Sequence, residues 1–239
     1  MINHHRRTLM ASGAVIRGAT SAIAHSAPQQ ATLDTDESNK QQACALFLKP
    51  EDVQIMFVDL HPGLVRTSNT NSPQILTGNA GSLARLAKAL NIPALFLTVN
   101  QGGEPGELVP ELSEYADEKN TLHRKNANPF MIPEIVRHLE KNKRKTLVIC
   151  GFTAETGVLL SVLGAVQHGY NVHVPLDCIG SLYHRTEDAA ISQYVRSGAT
   201  LTSVQSLAAL MAPDFSQGPG KTAISVISDI KSRYSTLKN

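Results

Sequence analysis

Near-continuous apolar runs of strand length, alternating with helical stripes, constrain this chain more than any other feature. Residues 53–58, 94–99 and 146–150 are such runs, and 172–176 is a fourth that carries His173. A strand that is apolar at almost every position must be covered on both faces, which is the condition of a parallel sheet between helix layers. The helical stripes fall where that arrangement needs them. Leu83, Leu86 and Leu90 recur at helical spacing within 74–90, and Val158, Leu159, Val162, Leu163 and Val166 do so before Gly169. A short strand at 121–123, helices at 132–142 and 186–197, and a strand at 199–204 complete the alternation. The pattern predicts a three-layer α-β-α sandwich of the Rossmann type around a central, mostly parallel sheet of about six strands. It places that domain at 43–213 and a C-terminal helical extension at 214–239, with its helix near 221–236.

The charge balance narrows the partners. The 239 residues carry 22 Lys+Arg against 20 Asp+Glu, too even for a protein that tracks phosphates along a nucleic acid. Aromatics make up 5% with no Trp, which argues against stacked-base recognition. No apolar run reaches the ~20 residues that span a bilayer, so membrane insertion is not expected. Cys44, Cys150 and Cys178 are too few and too scattered for a disulfide framework or a zinc cluster. The expected partner is a small molecule, with no cofactor and no metal called for.

Residues 1–42 read as a leader and linker. Arg6-Arg7 precedes a mildly apolar stretch, and Ala22-Ile23-Ala24 offers a small-x-small cleavage site. Arg17 interrupts the apolar stretch, which weakens an ordinary secretory signal. Two readings stay open: a twin-arginine signal that makes the protein periplasmic or exported, and a leader that stays with a cytoplasmic protein. Arg6, Arg7 and Arg17 are the only Lys, Arg, Asp or Glu in 1–27, so the remainder carries 19 bases against 20 acids. The slight basicity belongs to the leader.

Ligands of open parallel sheets bind beyond the carboxyl ends of the strands. Asp59 ends the first run, where burial and a facing cation would shift its pKa as acid/base work requires; the alternative is a helix cap or loop hydrogen bond. Arg124-Lys125 follows the short strand and could face Asp59, or be a solvated basic pair. His61, Asn100 and Asp177 lie at the same level. Gly151-Phe152-Thr153-Ala154-Glu155-Thr156-Gly157 runs from strand into helix, so its N–H groups could hold an anion or a developing oxyanion. The alternative there is an ordinary turn capped by Thr153.

This order of features resembles the isochorismatase-like (cysteine hydrolase) superfamily. The residues that carry it are Asp59, the basic residue after a middle strand, and Leu147-Val148-Ile149-Cys150-Gly151-Phe152-Thr153-Ala154-Glu155. Gly169-Tyr170, Val172–Val174, Asp177, Arg185-Thr186-Glu187 and Gly198-Ala199 continue the match across roughly 50–214. The resemblance implies a parallel sheet between helix layers and hydrolysis of amides, N-carbamoyl groups or the vinyl ether of isochorismate. It also implies a homo-oligomer and a cis peptide near Phe152–Thr153.

The departures bear on mechanism. The amidase members use an Asp, a Lys and a nucleophilic Cys, and the Cys position here is Gly157, which cannot form a thioester. Isochorismate-cleaving members also lack that Cys, yet Thr153-Ala154-Glu155 looks like the amidase branch. Spacing to Phe130 favours Arg124 as the basic residue, while residue type favours Lys125. His61 replaces a Gln that the family commonly places two residues after the Asp. It either titrates beside Asp59 or lines the pocket with Thr153 and Asn100 as a substrate contact. The expected function is a small-molecule hydrolase using non-covalent acid/base chemistry through Asp59, Arg124 or Lys125, and the amides of Thr153 and Gly157. The alternative is an inactive homologue that binds a small molecule. Three features are set aside. Gly218-Pro219-Gly220-Lys221-Thr222 lacks the first glycine of a phosphate loop, since 215 is Phe215. Cys150 and Cys178 read as core, and His4-His5 is too short for a metal site.

Overall fold

The computed structural model describes residues 48–102 and 104–236. The leader readings, Arg6-Arg7 and the Ala22–Ala24 site included, lie outside those residues. β1 (Val53–Val58) is buried at all six positions, and its side chains divide between two cores. Val53, Ile55 and Phe57 face one; Met56 and Val58 face the other. That two-sided burial is why the run shows no polar alternation.

The chain continues through a one-turn helix α1 (Pro62–Val65) into α2 (Pro73–Ala89). α2 starts where it does because the Ser72 hydroxyl accepts the Ile75 amide and Pro73 occupies its first turn. β2 (Ala94–Thr98), a two-residue hairpin pair β3 (Asn100–Gln101) and β4 (Glu104–Pro105), and one-turn α3 (Pro110–Ser113) follow. Then come β5 (Thr121–His123), α4 (Pro133–Lys141), β6 (Thr146–Phe152), α5 (Leu159–Gln167) and β7 (Asn171–Pro175). β8 (Ile179–Gly180), α6 (His184–Ser197), β9 (Thr200–Thr202), α7 (Val204–Met211) and α8 (Gly218–Thr236) complete the order. Gly198 ends α6 in the left-handed region at φ 97°, where its N–H reaches back to Tyr194 and Val195 carbonyls.

The main sheet runs β5-β2-β1-β6-β7-β9, with β8 pairing β6, and every pairing in it is parallel. α2, α7 and α8 supply one layer, through residues such as Leu76, Leu83, Val204, Leu207, Val226 and Ile230. α4, α5 and α6 supply the other, through Ile135, Leu139, Val162, Ala190 and Tyr194. Phe57 and Phe96 stack across β1 and β2 with centroids 4.9 Å apart. The sandwich expected from the apolar runs is therefore the fold observed.

The differences are local. The 199–204 strand shortens to Thr200–Thr202 because Ser203 caps α7, its side chain accepting the Ser206 amide. β3, β4 and β8 are too short to show a period in sequence. The last helix starts at Gly218, so the phosphate-loop lookalike is its first turn. Ala223, Val226 and Ile230 bury fully in the α2 core, each large one worth about 1.5–3 kcal/mol. Arg233 bonds Asn79 and Ser82, and Arg85 pairs with Asp229 at 2.6 Å.

The chain leaves β1 for β2 on one side and returns to β6 on the other. The switch point of the sheet thus lies between the carboxyl ends of β1 and β6, where such folds open a crevice.

Candidate active site

Asp59 is the first residue past β1 and turns left-handed there, at φ 52°, a conformation Asp tolerates better than most residues. Its N–H donates to the Leu97 carbonyl at 3.0 Å and its carbonyl accepts the His61 N–H at 2.9 Å. The turn keeps the carboxylate over the sheet end, 3% exposed. Arg124 arrives from β5, held to the end of β2 by its N–H on the Thr98 carbonyl at 2.8 Å. Its Nε donates to Asp59 Oδ1 at 3.1 Å, its Nη2 to Asp59 Oδ2, and its Nη1 to the Asn126 carbonyl at 2.7 Å. Arg124 is itself only 6% exposed. The result is a buried, charge-assisted bidentate pair. Burial pushes the Asp59 carboxyl above the ordinary carboxylate range, and the Arg124 hydrogen bond and charge pull against that push.

Gly157 closes the third side. A Cβ built on it would sit 3.0 Å from Arg124 Nη2, 3.0 Å from Asp59 Oδ2 and 3.1 Å from Val58 Cγ1. Such approaches are tighter than ordinary van der Waals contact, so a side chain at 157 would require the ion pair to give by a few tenths of an ångström. Gly157 belongs to a one-turn π-helix, Ala154–Val158, wedged between the end of β6 and α5. The Phe152–Thr153 peptide is cis, as the resemblance implies. The Thr153 carbonyl accepts the Thr156 and Val158 amides, both at 3.2 Å. The Thr153 hydroxyl bonds the Thr156 hydroxyl and makes no side-chain cap, contrary to the capped-turn alternative.

The structure divides the remaining sequence-predicted residues. Lys125 is exposed and outside the pair, because neighbouring residues leaving a strand point in opposite directions. His61 is buried, and both ring nitrogens are committed to backbone. Nε2 accepts the Val99 N–H at 3.1 Å, which puts the proton on Nδ1 facing the Glu107 carbonyl at 2.7 Å. Both nitrogens are thus turned to the backbone of Val99 and Glu107, so a substrate contact through either would require that bond to be given up. Asn100 is exposed in β3, paired with Pro105 of β4. Asp177 caps α7, its Oδ1 accepting the Val204 N–H at 2.9 Å, and burial pushes its carboxyl up. Cys150 and Cys178 are fully buried, and burial pushes the Cys178 thiol well up, the reverse of an activated nucleophile.

One residue escaped the sequence reading. Tyr194 of α6 is fully buried and donates its hydroxyl to the Ala154 carbonyl. The available signal was a phenol on the apolar stripe with Ala190, because a buried hydroxyl must find a partner.

An acid and a guanidinium at the switch point of a parallel α/β sheet, facing a strand-to-helix turn, form an arrangement of hydrolase type. The chain belongs to the isochorismatase family: the Isochorismatase domain matches residues 52–206. Among its relatives is the probable hydrolase YcaC of Escherichia coli (strain K12), 28% identical over 155 residues, covering 64% of this chain and 74% of that protein. Another is the secreted isochorismatase effector Isc1 of Phytophthora sojae (strain P6497), 30% identical over 146 residues, covering 59% and 69%. The crystal structure of Escherichia coli YcaC, described as an octameric hydrolase of unknown specificity, superposes with TM-score 0.72. It is 26% identical and covers 81% of this chain and 97% of its own. YcaC from Pseudomonas aeruginosa, with hexane-2,5-diol and covalent acrylamide, gives 0.71 at 25% identity, covering 81% and 98%.

Proposed function

We propose that this protein is a small-molecule hydrolase that works without a covalent enzyme intermediate. The observation that carries the reading is Gly157 itself, which has no nucleophilic side chain to offer and sits directly against the Asp59–Arg124 pair. Water is then the nucleophile. Asp59, raised by burial, takes the proton from the attacking water and returns it to the leaving group. Arg124 holds Asp59 in register and carries further N–H groups for an anionic substrate atom. The amides of Thr153, just before the turn, and Gly157, within it, are the oxyanion donors in this scheme. Candidate substrates are small amides, ureides and isochorismate. Purified protein screened against these, with Asp59→Asn checked for folding, tests the proposal. Turnover abolished by the substitution supports it, and turnover untouched by it overturns it.

A second reading draws on the same pair. Because Arg124 engages both Asp59 oxygens, the carboxylate is already satisfied, as in a binding protein without turnover. Saturable binding with no product formation would favour this one.

We also propose a homo-oligomer, since the Escherichia coli YcaC structure is described as octameric; light scattering of the purified chain tests it. Export through Arg6-Arg7 is proposed from the leader sequence. Native protein whose N-terminal sequence starts at Met1 or Ile2 would overturn export with cleavage.

A further inference from the structure

The π-turn that carries Gly157 is held at two carbonyls from outside its own backbone. In a helix entered directly in α geometry, the Ala154 carbonyl would accept the amide four residues on, that of Val158. Here the Val158 N–H goes back to Thr153, and the Leu159 N–H reaches the Ala154 carbonyl. The turn is one residue wider than an α-turn, and such wide turns gather at functional sites. The second lone pair of the Ala154 carbonyl is taken by the Tyr194 hydroxyl, across from α6. The Gly157 carbonyl is taken by the Ser161 hydroxyl at 2.6 Å. Burial, with the nearby carboxylates of Glu187 and Glu155, pushes the Tyr194 phenol far up, so it remains a donor.

We propose that Tyr194 is a positioning residue for the site: its phenol holds the wide turn that brings Gly157 against Asp59 and Arg124. The inference rests on the proposed site and adds a residue that touches none of the reacting atoms. Without the hydroxyl, the Ala154 carbonyl is free to take the Val158 amide and the turn tightens. Gly157 then rotates away from the ion pair, and its amide leaves the direction in which an oxyanion would form. Ring packing is untouched by this change, because Tyr194→Phe keeps every carbon of the side chain.

The test is the full-length Tyr194→Phe protein, read by its crystal structure and by kinetics on whichever amide, ureide or isochorismate substrate the screen finds. The expected result is a Val158 N–H moved from Thr153 to Ala154, with kcat down at least about tenfold and KM within about twofold. A turn that stays wide, or an unchanged kcat, overturns the proposal. If Tyr194→Phe does not fold, 3-fluorotyrosine placed at 194 keeps ring and hydroxyl. In the crystal structure of that protein, a hydroxyl still on the Ala154 carbonyl with the turn wide supports the proposal, and a hydroxyl turned away from it with the turn still wide overturns it. A tightened turn in a chain that turns over none of the substrates would leave Tyr194 as holder of the turn and fail the hydrolase reading alone.

Discussion

Asp59 and Arg124, 65 residues apart in the chain, meet as a buried bidentate ion pair because β1, β2 and β5 end at one level of the sheet. Removing one member strands the other. Asp59→Leu or Arg124→Met alone leaves the other charge buried and unpaired, and the expected cost of each is about 3 kcal/mol. Replacing both, Asp59→Leu with Arg124→Met, should cost far less, because two desolvated charges go together. Denaturant unfolding of the four proteins in the cycle checks this. Additive single effects would show that the pair is not coupled.

Gly157→Cys is the sharper probe of the same geometry. Its Cβ would press on Arg124 and Asp59 at 3.0 Å, so the single substitution should destabilise by about 1–3 kcal/mol and leave a slowly alkylated thiol. Adding Arg124→Lys removes the planar head and makes room. The thiol, at the start of a helix beside a cation, should then react with iodoacetamide much faster than in the single variant. A single-variant thiol that forms a thioester with a simple amide would refute the closed site.

Asp177 gives a pH signature. Burial raises its native pKa above the unfolded value near 3.8. Between those two values the native chain keeps a proton that the unfolded chain has lost, so stability falls as pH rises through that window. Asp177→Asn keeps an oxygen acceptor for the Val204 amide and has no proton to lose. The variant should therefore gain on the native protein as pH rises from about 4, and the gain should level off above the native pKa. Thermal melts at stepped pH measure it; parallel curves would show that Asp177 does not titrate differently in the two states.

His61→Ala should loosen a loop without dismantling the ion pair. It leaves the Val99 N–H and the Glu107 carbonyl without their ring partner, an expected loss of about 1–3 kcal/mol. Limited proteolysis should then cut within 99–109 sooner than in the native protein. Unchanged cleavage there would mean the two ring contacts are redundant.

Catalysis by Asp59 as a base predicts an acidic limb in the rate profile above the ordinary carboxylate range, since burial raises that carboxyl. Rate should climb with pH through that limb as the base ionises. A rate that falls over the same interval would assign Asp59 the acid role instead.

The strands, the helix layers and the position of Asp59 were legible because they depend on local composition. A strand covered on both faces must be apolar at nearly every position, and that condition is written into 53–58 and 146–150 themselves. The glycine at 157 drew attention only through the family resemblance, which implies a nucleophilic side chain at that place in the amidase members. Arg124 against Lys125 was not legible. One residue of register at the end of β5 decides which cation turns inward, and that depends on the Thr98 carbonyl of the neighbouring strand. His61 was equally opaque, since its nitrogens are claimed by Val99 and Glu107, backbone groups that loop closure alone brings near. The same holds for Tyr194 and the Ala154 carbonyl, 40 residues apart. Composition along the chain set the layers and the level of the crevice. Which polar groups pair within it was decided by tertiary structure, because a hydrogen bond depends on distances of a few tenths of an ångström between segments whose sequences carry no record of one another.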